Sequence, residues 1–584
     1  MSPLDHVPPH LREFVVRQDS ERYTSEDHAV WRFSVMNARR RLLSTAHEAY
    51  ERGFSATGIS VDRIPKIETI DACLARFGWR AVAVDGFVPP RAFQAFQARG
   101  ILPIAAEIRT SAHLTYTPAP DIIHEAAGHA PFLAEPHYAR YLRNIGKVAE
   151  RAFASPGDRV VDEAIHALSE VKEDPASTPF QIRRAESALE RARAELGEPS
   201  EAAKVARLYW WTAEYGLVGT PSDFRLYGAG LLSSIGEGHF CLSPQVRKTP
   251  LSAGCIGVDY DITRAQPGLF VSKSFAELES VLEDVAATLS ARRGGAHGLD
   301  VAKKSGEVAT LELDSSVSVV GVVHAVEMLE AQEGAPCFVE LAGPCAIARG
   351  GALLDAMPRG VGYGLPLGVL EDGTPLSSLT TDSLARRTDD RGRLALALAS
   401  GVHVAGRVIA IVPVGGRVAV VLLESIDVTR RGRTLFHRDG IFALALGNAV
   451  VSASAGAPDG FFAPTEPSSK VVPKLREFSA RDLERLGLFD RALDAWRTLG
   501  GRDVAAAFEI ILRRLDEAFP DEWLLRWNLL ESLLKIGEHG ALSKRLEDDL
   551  ERLEIRFGHL EPIATGLSTL RAMTAPTGDR ARSA

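Results

Sequence analysis

Residues 120–133 read PDIIHEAAGHAPFL and gather His124, Glu125 and His129 into one short stretch. Imidazole and carboxylate are ligands for a borderline divalent cation such as iron, zinc or manganese. The two histidines are 129 − 124 = 5 residues apart, whereas a zinc-protease HExxH helix separates them by four. Five residues of a regular α-helix turn about 500°, which leaves the side chains roughly 140° apart. The spacing therefore predicts that His124 lies in an irregular turn just before a helix. Pro118 and Pro120 would set up that start, with Asp121 as a turn or cap residue.

A two-histidine site wants a third ligand. The best candidate is Glu214 in RLYWWTAEYGLVG (207–219), where an acidic group sits among Trp210, Trp211, Tyr215 and Leu217. Burying a carboxylate there is costly unless it is paired or bound to metal. Two histidines and one carboxylate form the facial triad that leaves positions open on non-haem iron. His113, His137 and His239 lie nearby and could serve instead. Histidines beside a glutamate are also common as plain surface or core residues, and spacing alone does not choose.

The rest of the chain frames this stretch. At 584 residues it is long enough for three to four domains. With 46% hydrophobic and 24% charged residues, each can bury a core. A net charge of −9 with no basic run argues against nucleic acid as a partner. No stretch of about 18 apolar residues spans a membrane, and MSPLDHVPPHLREF lacks a signal core. Five scattered cysteines (Cys73, Cys241, Cys255, Cys337, Cys345) fit reduced thiols in the cytoplasm.

Residues 10–300 read as mainly helical with short strands. EDHAVWRFSVMNARRRLLSTAHEAYERG carries helical spacing from Glu26 to a stop at Gly53. RRAESALERARAELG, within 147–207, suits solvent-facing helices with i,i+4 pairs. Gly294 and Gly295 in RRGGAHG look like a boundary. From about 305 to 460, valine-rich runs alternate with glycine turns, which predicts a compact β domain. LELDSSVSVVGVV reads as strand, and VAGRVIAIVPVGGRVAVVLLESIDV as a hairpin turning at Gly415-Gly416. FFAPTEPSSKVVP is a linker candidate. Beyond it, 474–584 is helical, with a Ser479–Asp482 capping box opening one helix.

Three motifs in order, PDIIHEAAGHAPFL, YWWTAEYGL and YGAGLLSSIGE, resemble the tetrahydropterin-dependent aromatic amino acid hydroxylases. The family pattern is PDxxHExxGHxP, then YWFTxEFGL, then YGAGLLSS, and the likeness covers roughly residues 10–300. The resemblance implies a mainly α hydroxylase-fold catalytic domain with short strands over 1–300; with the β-rich domain over 305–460 and the helical domain over 474–584 read from the residues, the chain is expected to be multi-domain. It implies His124, His129 and Glu214 as iron ligands and catalytic centre. It places Arg109 on the substrate carboxylate, whose planar anion suits a guanidinium fork. Thr117 and Ser233 would hold the amino acid backbone, and Trp210 and Tyr215 would flank its ring. Phe93, Gly86 and Val88 fall on the pterin loop side, with Glu125 and Tyr209 across the cofactor.

The same resemblance implies Fe(II), a tetrahydropterin and O2, acting together to hydroxylate the ring of a small aromatic amino acid, with phenylalanine to tyrosine favoured. Tryptophan or another aromatic acid is the alternative, as are a zinc hydrolase and a non-catalytic amino acid or pterin sensor. Departures bear on the substrate: Ala119 replaces an acidic residue of animal members, and Trp211 and Tyr215 replace phenylalanines. The interval 214 − 129 = 85 is long for the family, so 147–200 is expected to be an insertion. No animal-type regulatory domain is expected ahead of the catalytic region. The regions after 300 have no counterpart in it, and the residues leave oligomeric state open.

Overall fold

The computed structural model describes the chain apart from residues 1–5, 86–87, 115–120, 174–176, 262–264, 330–333, 355–361, 462–477, 559–560 and 575–584. The chain divides into two compact units, each assembled from three separate stretches. One comprises 14–146, 207–281 and 469–584; the other comprises 1–13, 147–206 and 282–468.

The first unit is organised by the helix Ser25–Thr45. Thr24 caps it and shares a capping box with Asp27, which satisfies two backbone donors at its start. Its apolar positions do more than line one face: Ala29, Val30, Trp31, Phe33, Val35 and Ala38 are all buried, together with Asp27, Ser34 and Asn37. A helix buried all round needs partners on opposite sides. The C-terminal helices supply one: Phe33 meets Trp523 and Trp527 edge-on at 5.2 and 4.9 Å. These helices are Ala480–Thr498, Gly501–Ala518, Trp523–Lys535, Ala541–Arg556 and Glu561–Thr574. The first opens with the Ser479–Asp482 capping box that the sequence suggests. Two short sheets complete the unit. Arg80–Val84 pairs in parallel with Ile101–Ala105. A four-stranded sheet runs in the order Asp223–Leu226, Leu217–Thr220, Gly268–Ser272, Arg247–Pro250.

The second unit centres on a ten-stranded, mostly antiparallel sheet between Val308 and Ala455. Val402–Val414 and Arg417–Arg430 form its expected hairpin. Gly415 and Gly416 turn it with φ of 60° and 79°, a conformation that side-chain-bearing residues resist. Val308–Leu313 and Ser318–Met328 pair in the same way. Alternate residues feed two apolar clusters, one around Leu311, Val339 and Val420, the other around Leu394, Val421 and Leu423. Gly294 and Gly295, both at positive φ, break a helix between Ser290–Arg293 and Gly295–Ser305. The helices Pro156–Glu173 and Pro179–Ala194 occupy the expected insertion, joined by Lys172–Glu186 at 3.1 Å. Apart from Phe461, the linker candidate lies outside the described residues.

Candidate metal centre and amino acid site

The stretch Ile123–His129 is a π-helix. A π-helix closes its hydrogen bonds from i to i+5, so residues five apart return to the same face. The 140° disagreement expected of an α-helix disappears, and His124 belongs to the helix rather than to an irregular turn before it. Asp121 does cap the start: its Oδ1 accepts from the His124 amide at 3.2 Å. The second ligand-bearing segment, Trp210–Glu214, is also a π-helix, and the Tyr215 amide donates to the Trp210 carbonyl at 2.9 Å. The motif glycines allow close approach. A Cβ on Gly128 would lie 2.9 Å from the Ala229 carbonyl oxygen, and one on Gly228 would lie 2.4 Å from that of Glu214.

Glu214 stands between the two histidines. Its Oε1 is 3.0 Å from His129 Nε2 and its Oε2 is 3.2 Å from His124 Nε2. One ligand atom from each of the three lies within 4.8 Å of the others, and theirs is the metal-capable group found among the described residues. His129 is fully buried, and His124 and Glu214 retain 16% and 12% side-chain exposure, so the group is largely shielded from solvent. Burial opposes charge on His124, but the neighbouring Glu214 carboxylate outweighs it and pushes the imidazole up to about 9. Burial likewise opposes ionisation of Glu214, and the two histidines overcome it and hold the carboxyl below its usual range. The chemistry of the donor set fits a divalent cation: two imidazole nitrogens and a carboxylate converge on one point, where a cation would displace the proton that Glu214 holds on His124. Two buried atoms beside it, His129 Nδ1 and Glu125 Oε2, have no hydrogen-bond partner among the described residues. His113 and His137 bond locally, to Thr110 and Arg140, and His239 is exposed.

Arg109 is buried and paired in a way the sequence did not reveal. Its Nε and Nη2 donate to Asp121 Oδ2 and Oδ1 at 2.8 and 2.7 Å, and its amide donates to Oδ2 at 2.9 Å. The fork is thus fixed through Nε and Nη2 against the cap of the histidine helix. Asp121 feels burial as a penalty, but the Arg109 contacts prevail and keep its carboxyl below the ordinary value. Ser233 Oγ lies 3.1 Å from His124 Nδ1 and donates to the Ala229 carbonyl at 2.8 Å. Trp210 stacks between Tyr215 and Tyr260, at 4.6 and 4.3 Å between ring centres. Trp211 is buried and donates to the Val258 carbonyl, so it packs rather than lines.

The other flank holds Phe93 edge-on to Tyr209 at 6.4 Å, with Tyr209 also 6.4 Å from the His129 ring. Gln97 donates to the Tyr209 hydroxyl at 2.7 Å. Glu125 is buried, and burial raises its carboxyl. Val88 is half-buried just ahead of the helix Pro90–Ala98 that carries Phe93. Gly86, Thr117 and Ala119 lie outside the described residues. Sequence reasoning missed Tyr260, Gln97 and Glu237, whose Oε1 accepts from Tyr215 at 3.5 Å. Asp121 it placed only as a cap. A buried arginine needs a carboxylate, and that rule could have found it.

Comparison with known proteins places this geometry. Residues 19–166 and 185–297 match the sequence model of the biopterin-dependent aromatic amino acid hydroxylases. The unmatched 167–184 falls inside the expected insertion. The chain is 29% identical over 275 residues to the phenylalanine-4-hydroxylase of Chromobacterium violaceum, covering 46% of this chain and 76% of that protein. It is 29% identical over 295 residues to that of Pseudomonas aeruginosa, covering 49% and 95%. A solved structure of the Chromobacterium violaceum enzyme with iron(III) and 7,8-dihydrobiopterin aligns with 28% identity and a TM-score of 0.38, over 47% of this chain and 85% of that one. The histidine π-helix, Glu214 and Ser233 all lie within the residues that match the biopterin-dependent aromatic amino acid hydroxylase family.

Proposed function

We propose that this chain is an iron(II)- and tetrahydropterin-dependent monooxygenase that converts phenylalanine to tyrosine. The observation that carries the reading is the pair of π-helices that turn His124, His129 and Glu214 onto one point within the family-matched region. Bound there, iron with a reduced pterin supplies activation of O2 and insertion of one oxygen atom into the ring.

The chain's own residues position the reactants. Arg109, fixed by Asp121, binds the substrate carboxylate. Thr117 and Ser233 hold the amino acid backbone, while Trp210 and Tyr215 orient the ring edge toward the metal. Phe93 and Tyr209 flank the pterin, and Glu125, whose Oε2 has no partner among the described residues, faces a hydrogen-bonding group of that cofactor. Gly86 and Val88 are assigned to pterin binding. The catalytic domain is assigned to 1–300 with its insertion at 147–200, followed by a β-rich domain over 305–460 and a helical domain over 474–584. A cytoplasmic location fits five free cysteines, with no nucleic acid or membrane as partner. Among the described residues no helix is long and apolar enough to cross a membrane.

The test is anaerobic loading with iron(II), then exposure to O2 with tetrahydropterin and each aromatic amino acid, with products identified by mass spectrometry. Tyrosine from phenylalanine is expected. Bound iron with no hydroxylated product would overturn the reading.

A further inference from the structure

The helices after residue 480 lie outside the matched region, yet a chain of charged contacts joins them to the amino acid site. Glu26, in the first turn of the helix Ser25–Thr45, accepts from Arg485 through both oxygens, at 2.8 and 2.7 Å. The Oε1 that takes Arg485 Nη1 also accepts from Ser111 Oγ at 3.0 Å. Ser111 opens the short turn Ser111–His113, two residues beyond Arg109. Arg485 is itself held from behind by Glu522, at 2.9 Å, and Glu522 caps the helix Trp523–Lys535 through the amides of Leu524 and Leu525. Side-chain exposure of Glu26, Arg485 and Glu522 is 13%, 21% and 12%, so water screens this link poorly.

The same helix reaches the opposite side of the site. Arg41 donates to the carbonyls of Leu231, Ser234 and Ile235, which bracket Ser233. The C-terminal helices grip it along its length, through Ser25 to Asp490, Arg32 to Asn528, Phe33 to two tryptophans, and Arg40 to the Ser568 carbonyl. One helix therefore touches both walls of the amino acid site, and the C-terminal layer fixes where it sits.

We propose that Arg485 is a positioning residue for the amino acid site. Through Glu26 it fixes Ser111 and the segment that presents Arg109, so the C-terminal helices set affinity for the substrate carboxylate. This rests on the reading of Arg109 as the carboxylate-binding group. Removing Arg485 leaves Glu26 and Glu522 as like charges facing each other in a poorly screened place. Glu26 then moves away, and Ser111 loses its acceptor.

The experiment uses full-length, iron-loaded enzyme and compares the parent with Arg485→Met, Arg485→Lys, Ser111→Ala and the Arg485→Met/Ser111→Ala double variant. Arg485→Met is expected to raise KM for the amino acid about tenfold, the size of a coupling carried through one intermediate contact. Its kcat at saturation, iron content and KM for the pterin stay at parental values. Arg485→Lys recovers most of the loss, Ser111→Ala reproduces it, and the double variant is no worse than either single one. An Arg485→Met enzyme with parental amino acid KM, or one that loses kcat alone, overturns the role. If Arg485→Met does not fold, Ser111→Ala decides: a parental KM there breaks the link. A parent that hydroxylates no aromatic amino acid would instead sink the functional reading beneath it.

Discussion

The π-helix Ile123–His129 and the strand Arg417–Arg430 are both largely buried, and they are built to opposite rules. The strand sends Val420 and Leu422 into one apolar cluster and Val421 and Leu423 into the other, and both its edges are paired in the sheet. The π-helix buries Glu125 and His129 in six buried positions and leaves Glu125 Oε2 and His129 Nδ1 without partners among the described residues. Unpaired buried polar atoms cost stability wherever they occur. A chain tolerates them where something other than packing is being held, and the difference separates the part of this molecule that reacts from the part that folds.

The sharpest way to break that contrast is to remove the group on which the site converges. Glu214→Ala should abolish iron retention and lower turnover by well over about 100-fold, the range reached when mere supporting contacts of a metal site are lost. Metal analysis and product formation read it, and an active, iron-replete variant would end the assignment. Next in size is Arg109→Ala. It leaves Asp121 buried and charged without its partner, which should cost about 3–5 kcal/mol of stability. Because Arg109 holds the Asp121 carboxyl below its ordinary value, the pair stabilises the fold above that value and ceases to as pH falls through the folded one. The gap in melting temperature between parent and variant should therefore be full at pH 7 and shrink below about pH 4. A gap that does not change with pH would mean that Asp121 is neutral in the fold.

What the sequence disclosed follows the same division. The three motifs brought out the three residues that the fold gathers, His124, His129 and Glu214, because each motif is local and chemically unusual. Glycine-punctuated valine runs carried the hairpin at Gly415-Gly416. The π-helices were not legible: a five-residue spacing looked wrong for a helix only because the α-helical period was assumed. Tyr260 gave no signal, since a lone tyrosine in VDYD looks like any surface aromatic. The packing of the C-terminal helices was equally hidden. Glu26 and Arg485 are 459 positions apart, and each alone reads as an ordinary charge on a helix.

The strand side of the comparison makes its own prediction. Leu423→Ala opens a cavity in a cluster where the residue is fully buried, and should cost about 2–5 kcal/mol. Iron content at low temperature should not change, because the cluster belongs to a different compact unit from His124, His129 and Glu214. A matching loss of iron affinity in the folded variant would show that packing and chemistry are not separable as argued.

The smallest effect expected is also the most specific to the site. Glu237 sits beneath Tyr215, and burial pushes its carboxyl up to about 7, against the pull of the hydrogen bonds it accepts. In the unfolded chain the same group ionises at its ordinary, lower value. Between those two values the folded protein binds more protons than the unfolded one, so this group's contribution to stability falls as pH rises, and above about 7 the full penalty of an ionised buried carboxylate remains. Glu237→Gln keeps an acceptor for the Tyr215 hydroxyl and removes the penalty. The variant should melt higher than the parent at pH 8, while at pH 4 the two should nearly coincide. Equal melting at both pH values would mean that the carboxylate is compensated in the fold, and that this edge of the site follows the rule of the strand rather than that of the π-helix.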